Sequence, residues 1–109
     1  MLNKRFKEEL RMVESALQDE QSRYELKRDL KLLVESIADK YAVHESAKKI
    51  PRAKLIKAGW THFDLALRNY RDRARSMTEG KNNLFYFSTY FTWYVRQGIV
   101  EYLKSENNN

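Results

Sequence analysis

The chain has 109 residues, enough for one domain with one modest hydrophobic core. It contains no cysteine, which excludes disulfides and thiolate metal sites and fits a reducing compartment. The amino terminus is charged where a secretion signal needs an apolar run, and no stretch reaches the roughly 18 apolar residues of a membrane span. We therefore expect a cytoplasmic protein that does not contact a membrane.

Apolar residues recur at three- and four-residue steps, which predicts amphipathic helices. Four such stripes run from Leu2 to Leu17, from Leu26 to Tyr41, from Leu55 to Tyr70 and over about 84–104. Together they predict an all-α fold, a single domain over 1–109 with about four helices. The connections are predicted from a capping-box pattern at Ser22 and Glu25, a loop at 44–50 before Pro51, a polar segment at 76–83 and a frayed tail at 105–109.

The formal net charge of +6 is concentrated in the middle of the chain. Residues 1–47 hold nine basic and ten acidic side chains, whereas residues 48–75 hold nine basic and only two acidic ones. A basic segment of this density attracts polyanions at short range. By charge alone, contact with nucleic acid and an ordinary solvated helix face are about equally good interpretations.

The last predicted helix is rich in aromatic residues, since eight of the fourteen in the chain lie within 84–103. At about 100° per residue they divide between two faces. One face is spaced as a core-facing seam and runs from Phe91 to Tyr102. The other contains Tyr86, Phe87, Tyr90, Trp93, Tyr94 and Gln97. A helix buried all round explains this pattern, and so does a partly exposed stripe on which unpaired bases stack.

The segment FSTYFTWYVRQGIVEYL, residues 87–103, closely resembles the promoter-melting helix in region 2 of primary-type bacterial sigma factors. LVESIADKY at 33–41 is similar to an earlier core helix of that domain, and IPRAKLIKAGW at 50–60 to the segment that docks on RNA polymerase. The resemblance covers about residues 26–103. It implies a sigma factor-like transcription initiation module whose partners are the melted non-template strand of the minus-ten promoter element and core RNA polymerase.

The resemblance also implies roles for individual residues of the last helix. Tyr90 corresponds to the platform for a flipped adenine, and Trp93 with Tyr94 to the wedge at the upstream edge of the bubble. Gln97 corresponds to a contact with the last paired base, and Arg96 lies near phosphate. The complete DNA-binding set implied by the family is Phe87, Thr89, Tyr90, Trp93, Tyr94, Arg96 and Gln97.

The docking segment differs from the family in its charge. Where the family commonly presents an acidic residue, a glutamine and a glutamate to a basic coiled coil, this chain has Lys54, Lys57 and Ala58. Like charges oppose such a contact. Three explanations stay open: the partner surface has changed sign, docking uses other residues, or the chain does not bind core polymerase in the usual way.

No constellation of residues predicts catalysis, and we do not expect an enzyme. The two histidines, His44 and His62, lie far apart without a carboxylate or cysteine at ligand spacing, and no glycine-rich phosphate loop follows a strand. We therefore expect no cofactor, no metal and no small-molecule substrate. The alternative function is a protein-interaction adaptor that keeps the fold without melting promoters and binds a polymerase subunit or regulator.

Overall fold

A computed structural model describes residues 4–76 and 85–108. These ranges contain no β-strand, so the predicted all-α fold is confirmed. Their five α-helices are α1 (Lys4–Gln18), α2 (Glu20–Ala42), α3 (Arg52–Gly59), α4 (Phe63–Ser76) and α5 (Phe87–Asn107), with one turn of 3₁₀ helix at Glu45–Ala47. Beyond Ser76, the predicted polar segment up to Asn83 lies outside the described residues.

A single residue, Asp19, connects α1 to α2 and is the N-cap of α2. Its carboxylate accepts hydrogen bonds from the backbone N–H groups of Gln21 and Ser22, both at 3.2 Å, and from the Ser22 hydroxyl at 2.7 Å. The predicted capping box at Ser22 and Glu25 is therefore wrong. Because the Asp19 carboxylate already meets the first free amides, the helix begins at Glu20 and Ser22 lies inside its first turn.

Removing the Asp19 cap should lower the melting temperature at neutral pH and have little effect in strong acid. The Ser22 hydroxyl first, and then the two backbone amides, lower the pKa of Asp19 below its ordinary value of 3.8. A lowered pKa means that the stabilisation is present above that ordinary value and disappears as pH falls through the folded-state pKa. Thermal melts of Asp19→Ala and the native chain between pH 7 and pH 2 should begin to converge below about pH 4 and meet below the folded-state pKa of Asp19. Asp19→Asn is the control, since its neutral amide oxygen caps the helix without titrating. A difference in melting temperature between Asp19→Ala and the native chain that persists in acid would contradict this account.

The stripe predicted as a third helix is divided into α3 and α4 at residues 60–62. The Trp60 N–H bonds to the Lys57 carbonyl at 3.1 Å and the Phe63 N–H to the Trp60 carbonyl at 3.1 Å, which tightens the chain into a turn. The Thr61 hydroxyl donates to the Ala58 carbonyl at 2.7 Å and satisfies one of the oxygens that the helix end leaves free. Pro51 precedes α3 as its N-cap residue, one position before the first helical turn.

The hydrophobic core lies around α5, which contacts each of the other four helices. Its predicted seam is confirmed, because Phe91, Val95, Gly98 and Ile99 are buried and Tyr102 is half-buried. Phe91 is fully enclosed by rings from three sides: Phe63 at 5.4 Å, Trp60 at 5.6 Å and Phe87 at 5.7 Å between centroids. The arrangement fixes the orientation of the aromatic helix on which the predicted site depends.

The carboxyl-terminal part of α5 extends further than the predicted frayed tail allows. The helix continues to Asn107, whose side-chain amide donates to the Ser46 carbonyl at 3.2 Å and to the Leu103 carbonyl at 2.7 Å. This link to the 3₁₀ turn stabilises the last turn of the helix, which composition alone does not predict. None of the helices in the described ranges combines the length and apolar character needed to cross a lipid bilayer.

Candidate nucleic-acid interface

One face of α5 and the residues just before it is exposed and carries an aromatic pair. Trp93 is 46% exposed and Phe85 is 47% exposed, and their rings meet edge to face with centroids 5.1 Å apart. Thr89, Arg96 and Gln97 are exposed as well, at spacings that place them near Trp93 on the same face. An aromatic surface flanked by a cation and hydrogen-bonding groups can stack on a base and hold its phosphate.

Two of the predicted DNA-binding rings lie inside the protein. Phe87 is 2% exposed and Tyr90 is 9% exposed, so the predicted exposure of the second aromatic stripe is wrong for these two residues. Phe87 lies only about 40° around the helix from Phe91 and stacks parallel to it. Tyr90 is covered because α4 packs along this flank and brings Tyr70 to 5.4 Å from its ring.

Tyr94 is half-buried and connects Tyr90 to α4. The Asn69 side-chain amide donates to the Tyr94 hydroxyl at 3.0 Å, and the Tyr94 and Tyr90 hydroxyls are 2.9 Å apart. Burial first, and then the hydrogen bond with Tyr94, raises the pKa of Tyr90, while the nearby Arg73 charge lowers it. The Tyr90 hydroxyl is therefore protonated at neutral pH, and its hydrogen bond with the Tyr94 hydroxyl holds the two rings in one arrangement.

A second buried tyrosine fixes the chain where it enters α5. The Tyr70 hydroxyl donates to the Phe85 carbonyl at 2.8 Å, and its ring lies edge to face against Phe87 at 5.2 Å. From α1, the Glu9 carboxylate accepts the Ser88 backbone N–H at 3.3 Å, and the Arg5 guanidinium lies 3.8 Å over the Tyr86 ring. These contacts position Phe85 beside Trp93.

The basic segment contributes to this face from α4. The charge of Arg73 acts on Tyr90, which places it near the aromatic rings. Arg71 pairs with Asp72 at 3.1 Å and Arg75 with Glu14 at 3.3 Å, so part of the basic excess is neutralised within the protein. Arg68 is exposed, but its charge acts on Asp64, which itself pairs with Arg23. Arg96 is exposed, and no residue in 4–76 or 85–108 forms an ion pair with it. Phosphate binding can use Arg96.

The three residues implied in polymerase docking lie together at a different surface. Lys54, Lys57 and Ala58 border an open groove of about 300 Å³ between α3 and α5, together with Thr61 and Tyr102. The two lysines are exposed, whereas Ala58 is buried at the floor. In the described part of the chain, no member of the predicted DNA-binding set lines this groove.

The histidines occupy ordinary positions. The His44 ring stacks on Tyr41 at 5.8 Å, and Nε2 of His62 lies 2.6 Å from Oε1 of Glu101. That contact with His62 is the main cause that lowers the pKa of Glu101. Within the described part of the chain, histidine and acidic side chains form no group of three or more that could hold a metal ion.

Sequence reasoning did not identify three residues that organise this interface: Asn69, Tyr70 and Phe85. Asn69 and Tyr70 act across the α4–α5 contact, which helical periodicity within one segment does not indicate. Phe85 precedes α5 and contacts Trp93 two helical turns later, so only its aromatic character gave a signal.

Comparison of the chain with protein-family models, curated proteins and solved structures gives no significant match.

Proposed function

We propose that the chain is a sigma factor-like transcription initiation module that binds the melted minus-ten promoter strand and core RNA polymerase. The observation that carries the proposal is the exposed Trp93, which presents an aromatic surface beside Thr89, Arg96 and Gln97. The sequence resemblance assigns base contacts to Thr89, Trp93 and Gln97 and places Arg96 near phosphate. Stacking and charge would provide the binding, and the proposal includes no covalent chemistry.

Strand capture in this proposal starts at Trp93 and then involves Tyr90. In the described state Tyr90 offers no free ring face, since Tyr70 and Tyr94 cover it. Releasing the Tyr90 ring loses its hydroxyl contact with Tyr94 and its packing against Tyr70, and stacking returns about 1–3 kcal/mol per base. Capture at Tyr90 therefore requires two or three bases held at once, beginning with the base on Trp93, whereas Phe87 stays in the core and supports the helix.

The test is the affinity of the protein for a fluorescent TATAAT-type single strand compared with a scrambled strand. We expect a clear preference for the first strand and a loss of about tenfold or more in its affinity on Trp93→Ala, because one stacking platform is removed. The matched control is Tyr24→Ala, an aromatic residue on α2 that is more exposed than Trp93, at 63% against 46%. Tyr90→Ala should abolish the preference as well, provided that circular dichroism shows it folded.

The alternative function is an adaptor that keeps this fold and binds a polymerase subunit or regulator without opening promoters. The burial of Phe87 and Tyr90 favours it, because a non-melting protein has no need of accessible rings at these positions. Equal, purely salt-driven affinity for the two strands, unchanged in Trp93→Ala, would support the adaptor and reject strand capture.

A further inference from the structure

The groove between α3 and α5 has two cations without partners at its edge. Lys54 and Lys57 are exposed, and no residue in the described ranges forms an ion pair with either. Arg52 on the same helix is different, since it pairs with Asp39 at 2.7 Å and with Glu35 at 3.7 Å and so fastens α3 to α2. The lysines make no comparable contribution to the fold.

The carboxylates of the neighbouring helix are already engaged. Glu101 accepts a hydrogen bond from Gln97 at 3.1 Å and contacts His62 at 2.6 Å. Burial first, and then the nearby Glu106 carboxylate, raises the pKa of Tyr102. Neither carboxylate forms an ion pair with Lys54 or Lys57, so the edge formed by these two lysines keeps its positive charge, which complements an acidic ligand.

The floor of the groove suits one bulky apolar side chain. Ala58 leaves space at the centre, and the Tyr102 ring and the lysine methylenes provide apolar walls. The volume of about 300 Å³ is at the lower end of the range for pockets that hold ligands. Lys54 and Lys57 are three residues apart on one helix, about 5–6 Å between Cβ atoms, and carboxylates one turn apart on a second helix have the same spacing.

We propose that this groove binds an amphipathic, acidic helix of a partner protein, with one apolar side chain over Ala58 and carboxylates at Lys54 and Lys57. The inference rests on the proposed function in taking α3 as the protein-binding side of the module. It assigns the partner surface a negative charge, and it selects the first of the three explanations for the basic docking segment.

The test uses a short fluorescent helical peptide that carries one leucine and two glutamates one turn apart from each other, and a matched peptide with lysines in place of the glutamates. The acidic peptide should bind the native chain and shift backbone amide NMR signals at 54–61 and 98–102. Lys54→Glu combined with Lys57→Glu should weaken that binding by about tenfold or more and should create affinity for the lysine peptide. The control, Lys40→Glu with Lys49→Glu, makes the same change in net charge outside the groove. Its affinity for the acidic peptide should stay within about twofold of the native value.

Three results would overturn the inference: no binding of the acidic peptide, equal binding of both peptides, or equal losses in the groove and control variants. The appearance of lysine-peptide binding in the groove variant shows that this variant is folded. Strand affinity measured on the same proteins separates the two proposals. Peptide binding without strand preference rejects strand capture alone, and strand preference without peptide binding rejects the acidic partner alone.

Discussion

Replacing Phe91 with alanine should lower the free energy of unfolding by about 3–5 kcal/mol, the usual cost of removing a fully buried aromatic ring. The ring has no exposed surface and contacts Trp60, Phe63 and Phe87. Its loss leaves a cavity where α5 meets the turn between α3 and α4. Surrounding rings are rigid and fill such a space poorly, so little of the cost is recovered.

Urea denaturation followed by circular dichroism measures this loss, and two variants calibrate it. Phe85→Ala makes the same chemical change at a ring that is 47% exposed and should cost about 1 kcal/mol or less. Phe91→Leu keeps much of the buried volume, so its loss in free energy of unfolding should lie between those of Phe91→Ala and Phe85→Ala. Similar losses for Phe91→Ala and Phe85→Ala would mean that the ring cluster around Phe91 does not support the fold.

The segments with one regular apolar stripe are those that the sequence predicts well. The predicted stripe of α2 is buried except at Leu33 and Tyr41, which are half-buried; its other members are Leu26, Leu30, Val34, Ile37 and Ala38. Local periodicity decides these positions, because a single face of the helix meets the rest of the protein. The seam of α5 follows the same rule.

The break between α3 and α4 could not be predicted in the same way. The apolar stripe continues from Leu55 to Tyr70 without a proline, so periodicity indicates one helix. The structure bends the chain at Trp60 because two helix segments, rather than one straight helix, bring Leu55 and Phe63 into the same core. Gly59 is the single local indication of a break, and this indication can be interpreted only when the packing against α5 is known.

The sequence predicts the exposure of some candidate-site residues correctly and that of others wrongly. Trp93, Arg96 and Gln97 were placed on an accessible face, and they are exposed. Tyr90 was placed beside them, yet it is covered by α4 and linked through Tyr94 to Asn69. How far a helix is covered on its second flank depends on the placement of its neighbours, which a pattern within that helix does not contain.

Gly98→Ala should lower the free energy of unfolding by about 2–3 kcal/mol, even though alanine is intrinsically the better helix former by up to about 1 kcal/mol. A Cβ atom at this position would lie 2.3 Å from the Ala58 carbonyl oxygen. The obstacle is backbone, so no side-chain rotation relieves it, and α3 and α5 must move apart at their crossing. Ala58 is also the floor of the groove, so the same variant should weaken binding of the acidic peptide.

Gly59→Ala provides the matched comparison, because its new Cβ would meet side-chain methyl groups, at 2.9 Å on Val34 and 3.1 Å on Val95. Adding Val34→Ala to Gly59→Ala should recover part of the stability that Gly59→Ala loses, since the smaller side chain removes the nearest clash. A double-mutant cycle measures this recovery. No side-chain truncation at Ala58 should rescue Gly98→Ala, because the clashing oxygen belongs to the main chain. If Ala58→Gly restored the stability of Gly98→Ala, the crossing of α3 and α5 would be set by side-chain volume rather than by the contact between helix backbones.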